Sequence, residues 1–277
     1  MDSVKVKNFI ILVLLIVNAI LLSVFVSDTL RERAQRSGAV EGAVELLAEN
    51  GISVAEDVDL SEREIETLSL ARDTEHEERM VTNVLGNAAV SDQGGNILLY
   101  FGSRGEAGFR GTGGVEMNLH SGEYSARGDL TGCARDFARS LGLRTVSEPV
   151  SLNLDEDSDE GTLELCCSYD GVRVINCVLS FTFADGELLG VYGTRVLDTV
   201  TGERQQELID VPTVLTRFLS LVLENGHVCS SLDELELCYN MQANAAGEAT
   251  LTPVWRIETD TGEFFINAVT GLQETVT

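Results

Sequence analysis

Basic residues are scarce in this chain, and the familiar catalytic signatures are missing from it. Nineteen Lys and Arg face 45 Asp and Glu, giving a net charge of −26 over 277 residues. A surface so acidic repels nucleic-acid phosphates and anionic lipid headgroups, which argues against a nucleic-acid role. Only three histidines occur. His76-Glu77-Glu78-Arg79-Met80 misses the zinc-protease spacing, because Met80 stands where the second histidine belongs. His120 and His227 lie beside turn signals and read as solvated loop residues. Gly102-Ser103-Arg104-Gly105 lacks the spacing of a nucleophile elbow, and Gly111-Thr112-Gly113-Gly114 opens no helix that would hold a phosphate. Asp155, Asp157 and Asp159 alternate as in a calcium loop, but Glu160 and Cys166 occupy the places that need Gly and Glu. No Walker A, kinase signature or paired metal ligands appear, so no catalytic, cofactor or metal site is expected. A carboxylate pair, which leaves no local motif, is the one catalytic arrangement the sequence leaves open.

Six cysteines occur without a CxxC pair, at 133, 166, 167, 177, 229 and 238. A two-residue turn at Asp170-Gly171 would set Cys166 opposite Ile175 and Cys177 opposite Glu164, leaving those thiols only diagonal neighbours. Buried free thiols are the expectation, with disulfides as the alternative in an oxidising compartment.

Long hydrophobic runs are also rare: there is one. Phe9 to Val26 carries eighteen residues without a charge. As a helix it would be about 27 Å long, close to the hydrocarbon thickness of a bilayer. The run is too long for a signal peptide, and Phe25-Val26-Ser27 makes a poor cleavage site, so a retained anchor is expected. Lys5 and Lys7 precede it and Arg31, Arg33 and Arg36 follow it, so charge alone does not orient it. Asn18 is a polar amide near mid-bilayer, where pairing with another helix is worth about 0.6–2 kcal/mol. Ile11, Leu14, Leu15, Leu22 and Phe25 share its face, and together these six form the candidate partner-binding surface. The alternative is an asparagine that is simply tolerated.

Beyond the run, an apolar content of 44% indicates folded material. Residues 28–50 read as a helix stopped by Asn50-Gly51, and 52–72 as an irregular acidic stretch with room for a short helix after Ser61. From about Met80 the period becomes alternating, with short strands at 97–101, 107–109 and 115–119. A helix over 129–141 is followed by strands at 163–169, 172–183 and 188–197, joined by Asp170-Gly171 and Asp185-Gly186. A helix over 212–223 is followed by strands at 235–241, 254–259 and 264–268. Helix-strand-strand-strand therefore recurs, with the membrane-proximal helix and strands 80–119 as a looser third copy. The expected class is α+β: antiparallel sheets with helices packed on one face. The expected division is a tail (1–8), a span (9–26), a membrane-proximal helix (27–50), a first subdomain (51–125) and a C-terminal domain of two units (126–277). Pro253 and Trp255 read as strand-edge and core residues.

Six stretches carry a further signal: Met1-Asp2-x-x-Lys5-x-Lys7-x-Phe9-Ile10 with 15–21, Leu85-Gly86, Tyr100-Phe101, Tyr169-Asp170-Gly171-Val172, Leu251-Thr252-Pro253-Val254-Trp255-Arg256-Ile257, and Phe265-Ile266-Asn267-Ala268-x-Thr270-Gly271. Together they resemble the YycI family, single-span regulators of the WalK (YycG) sensor histidine kinase, and the last also resembles the closing hairpin of PepSY-like modules. Ser3 departs from the tryptophan common in that family, and the cysteines are foreign to it. The resemblance implies a cytoplasmic amino end, an extracellular domain, a YycH-like companion and contact with the kinase through the span. It implies a non-enzymatic regulator. The rival is a PepSY-like module that modulates a protease or another envelope protein.

Overall fold

Alternation of small apolar and charged residues along Gly105–Arg110 and Gly114–Leu119 buries Ala107, Phe109, Val115, Met117 and Leu119 and leaves Glu106, Arg110, Glu116 and Asn118 outside. This one-sided pattern recurs through a computed structural model that describes residues 18, 22, 37–155 and 160–275. Its elements are helix α1 (37–49), β1 (Ser53–Val54), β2 (Thr67–Ala71), α2 (Thr74–Leu85), β3 (Ala89–Asp92), β4 (Ile97–Gly102), β5 (Gly105–Arg110) and β6 (Gly114–Leu119). Then come α3 (Leu130–Ser140), β7 (Ser151–Asp155), β8 (Glu160–Tyr169), β9 (Val172–Ala184), β10 (Glu187–Thr194), β11 (Thr199–Arg204), α4 (Val211–Asn225), β12 (Ser231–Ala243), β13 (Glu248–Thr259) and β14 (Gly262–Asn267). Among the described residues no helix is long and apolar enough to cross a membrane. Residues 9–26, apart from Asn18 and Leu22, lie outside the described residues.

The strands run in the order β11-β2-β13-β12-β9-β10-β6-β5-β4-β3, with β14 also on β13, β1 on β12, and β8 carrying β7 onto β9. Pairing is antiparallel except at β1–β12 and β9–β12. The β9–β12 join is a single pair, Val174 with Tyr239, reinforced by the Asn176 amide: its Nδ2 donates to Met241 O at 2.7 Å and its Oδ1 accepts from Met241 N at 2.9 Å. Two half-sheets meet at this seam. One holds β3–β10 with α2 and α3 against it, and the other holds β11, β2, β12, β13 and β14 with α1 and α4.

There are two cores, and the first crosses the seam to take in Leu68, Leu70, Tyr239, Met241, Ala249 and Leu251 of the other half. Phe137, Phe181, Tyr100 and Phe109 anchor the first, while Phe218, Trp255, Phe264 and Leu47 anchor the second. In α1, Ala43 and Leu47 face that second core, and the helix ends as expected at Asn50-Gly51. Ile52 N donates to Leu47 O and Gly51 N to Ala48 O, a left-handed cap with Gly51 at φ +84°. Asp129 and Asp210 cap α3 and α4, accepting from Gly132 N and Thr213 N. Both Asp-Gly turns have positive φ at both residues, as a two-residue hairpin with right-handed twist requires.

Several expectations are corrected. Residues 67–71 form β2, paired between edge strand β11 and β13, where an irregular stretch was expected; Leu68 and Leu70 are too short an alternation to announce it. Helix α2 spans the point where a change of period was placed, because its buried stripe of Glu77, Met80, Val81, Val84 and Leu85 begins with a charge. The first repeated unit carries an extra strand, β7, between α3 and β8, whereas α4-β12-β13-β14 is as expected. β6 and β10, which lie on either side of residue 125, pair in one sheet. The β8–β9 register shifts past the turn, so Cys166 faces Val178 rather than Ile175. β9 bends there to reach β12, and the extra residues are taken up in that bend. All six cysteines are free, five of them buried.

Candidate functional site

Ionisable groups gather in three places among the described residues. Across β12, β13 and β14, Arg256 pairs with Glu234, Glu258 and Glu263 and approaches Glu236, which Arg173 holds at 3.0 Å. The other two have opposite character. The first is sealed inside. Glu77, on the buried face of α2, accepts from Arg72 Nε at 2.9 Å and Arg72 Nη2 at 2.6 Å. It also accepts from Arg195 Nη2 at 2.8 Å and from the Tyr100 hydroxyl at 3.0 Å. Arg195 in turn holds Asp198 at 2.7 Å and lies over the Phe109 ring at 5.3 Å. Glu77 and Arg195 have no solvent-exposed surface. Burial, with the Glu77 carboxylate alongside, pushes the Tyr100 phenol well above its ordinary value. Two guanidinium groups here balance two carboxylates. Acid and base are spent on each other, so the cluster ties α2 to the segment 195–198 and offers nothing to a substrate.

The second place is open. The β2–β11 ladder ends at Thr67 and Arg204, where Thr67 Oγ1 donates to Gln206 Oε1 at 2.7 Å. Beyond that latch the chains part, and a groove of about 1010 Å³ lies between residues 62–66 and 205–210. β13 explains the parting. Its ladder with β2 ends at Leu251, that with β14 begins at Val254, and Pro253, which has no N–H to give, lies between. β14 takes the edge of β13 that β2 vacates.

Ile65, Leu208, Ile209, Val269 and Trp255 give the groove its apolar lining. Glu62, Glu64, Glu66, Glu207 and Asp210 supply five carboxylates. Arg63 is the basic side chain among the described lining residues, and it pairs with Asp59 at 2.7 Å. Trp255 is 2% exposed, and its indole N–H has no acceptor. Burying such a donor unpaired costs about 1–3 kcal/mol. Among the described residues, the backbone groups of 63–65 and 205–208 make no hydrogen bond either.

Of the six residues of the expected partner-binding face, Asn18 and Leu22 are helical and exposed. Ile11, Leu14, Leu15 and Phe25 lie outside the described residues, as do Asp157 and Asp159 of the calcium-like alternation. His120 and His227 are exposed beside turns, and His76 is in the first turn of α2. The groove was missed because its two walls lie about 140 residues apart in sequence and neither has a periodic pattern. Trp255, read from the sequence as a core residue, lies at once in the core and along the groove.

No family model and no curated protein matches the chain. In structure it is similar to an uncharacterized protein from Eubacterium rectale ATCC 33656, 11% identical, covering 82% of this chain and 90% of that one with a TM-score of 0.50. The Bacillus megaterium YpeB C-terminal domain is 15% identical over 78% of this chain and 98% of its own, with a TM-score of 0.37. YycH from Bacillus subtilis is 13% identical over 78% of this chain and 52% of its own, with a TM-score of 0.38. The chain thus spans about half the length of YycH. What the first of these shows is a shared α+β fold built on a large sheet.

Proposed function

We propose that this chain is a membrane-anchored, non-enzymatic regulator of a sensor histidine kinase of the WalK (YycG) type, acting with a YycH-like companion. The apolar run 9–26 would hold it in the membrane with its amino end in the cytoplasm and residues from 27 onward outside. Its role would be to shift a two-state equilibrium of the kinase, which requires contacts that differ between the on and off states. The observation that carries this reading is the contrast between the sealed cluster and the open groove. The acids and bases around Glu77 are consumed in mutual ion pairs, while the groove lays an apolar floor between walls that carry carboxylates, which is chemistry for holding another chain.

The test is co-purification of the kinase from membranes with the wild type and with Asn18→Leu. Reduced recovery of the kinase, with unchanged protease resistance of the folded domain, is expected. Unchanged recovery removes the role given to Asn18, and failure of the wild type to recover any kinase removes the proposal.

A further inference from the structure

We propose that the groove at the β2–β11 fork binds an extended, basic segment of a partner protein, seated as a strand between residues 62–66 and 205–209. This stands on the chemistry of the groove and is independent of the kinase assignment.

Three separate features converge on such an occupant. The first is the backbone. Arg63, Glu64, Gln205 and Glu207 are exposed and half-buried Ile65, Gln206 and Leu208 alternate with them, and the backbone of 63–65 and 205–208 bonds to no other described residue, so both walls are open to a partner's main chain. Two facing unpaired edges are completed by one inserted strand, which exchanges bonds with both. Five residues at about 3.3 Å each make a seat roughly 16 Å long.

The second is Trp255. An indole N–H is a donor only, so the group it lacks is an acceptor, and a peptide carbonyl supplies one along every residue of a strand. The rest of its ring, with Ile65, Leu208 and Val269, makes an apolar floor for alternate side chains of the segment.

The third is charge. Glu64, Glu66 and Glu207 stand along the walls with Asp210 at the end, against Arg63, the single arginine among the described lining residues, which Asp59 already holds. An acidic segment would be repelled, and one with Lys or Arg at every second position would meet a carboxylate at each. The Asp210 carboxylate is partly committed to capping α4, so Glu64 and Glu207, which face solvent, are the residues to reverse.

Trp255 is the only tryptophan in the chain, which makes the floor its own reporter. The experiment uses the full chain in non-ionic detergent, titrated with a tryptophan-free seven-residue peptide bearing Lys at alternate positions. The same peptide with Glu for Lys, and one N-methylated along its backbone, are run beside it. A saturable change in Trp255 emission with the lysine peptide is expected, weakened at least tenfold in Glu64→Lys/Glu207→Lys and at least fivefold by raising salt from 0.05 to 0.5 M, about a threefold contraction of the screening length. The glutamate and N-methylated peptides should give no saturable change.

Three results would overturn the proposal: no saturable response to the lysine peptide, an equal response to the glutamate peptide, or undiminished affinity in a charge-reversed variant whose circular dichroism matches the wild type. Undiminished binding of the N-methylated peptide would overturn the strand seating. Emission that changes with protein concentration alone would assign the groove to a second copy of this chain instead.

Discussion

Replacing Glu77 by leucine should be among the most damaging single changes available to the folded part of this protein. Four hydrogen bonds end on its two oxygens, from Arg72 twice, Arg195 once and Tyr100 once. Without it the cluster holds two guanidinium groups and only the Asp198 carboxylate, an excess positive charge in a region without solvent exposure. Removing one partner of a buried pair costs about 3–5 kcal/mol, mostly the penalty of the stranded charge. Domains are commonly stable by about 5–15 kcal/mol, so the variant should keep its fold but unfold far more easily. The assay is urea unfolding followed by circular dichroism, with Arg72→Met/Glu77→Leu/Arg195→Met/Asp198→Asn as the companion. If the loss is stranded charge and not lost packing, removing every charge together should recover most of the stability. A single-variant cost under about 1 kcal/mol, or a fourfold variant no better than the single one, would refute the picture of a sealed, self-compensated network.

Burial raises the thiols of Cys166 to about 11 and Cys167 to about 12. Because the fold favours their protonated forms, their contribution to stability is intact below about pH 9 and is lost as pH climbs toward 11–12. Urea midpoints measured from pH 8 to 11 should fall, and fall less in Cys166→Ala/Cys167→Ala. In the native state the buried thiols should react with a thiol reagent far more slowly than half-exposed Cys133, and comparable rates would contradict their burial. Gly193 has φ +143°, and a Cβ there would meet Val178 O at 2.0 Å, so Gly193→Ala should cost more than about 1 kcal/mol by thermal unfolding. Gly202→Ala, whose nearest neighbour would be 3.8 Å away, should change stability by less than about 0.5 kcal/mol.

Local chemistry was legible in the residues. Asn50-Gly51, Asp129 and the two Asp-Gly turns do in the structure what their side chains require, and β8–β10 and β12–β14 follow from alternation between them. What was not legible depends on distant partners. β2 is a strand because β11 and β13 flank it, and five residues with two buried leucines say little alone. Glu77 was weighed only within a failed zinc-protease spacing, and nothing near it in sequence announces Arg195, 118 positions away, which closes over it. The bend in β9 likewise exists to meet β12, and it moved Cys166 from the partner that a plain hairpin would have given it. Trp255 was read as core, which its 2% exposure bears out; its place along a groove emerged only when residues 62–66 and 205–210 were seen to part.

Lys5 and Lys7 are the only lysines in the chain, so amine-reactive reagents cannot report on anything beyond its amino end. A photo-crosslinking residue at Leu22, exposed and one helical turn beyond Asn18, avoids that blindness. Irradiation in native membranes, followed by mass-spectrometric identification of the adduct, should capture a sensor histidine kinase on a chain that still carries its first 26 residues. A mature chain cut free of that segment, or an adduct dominated by a protease with no kinase present, would contradict the account.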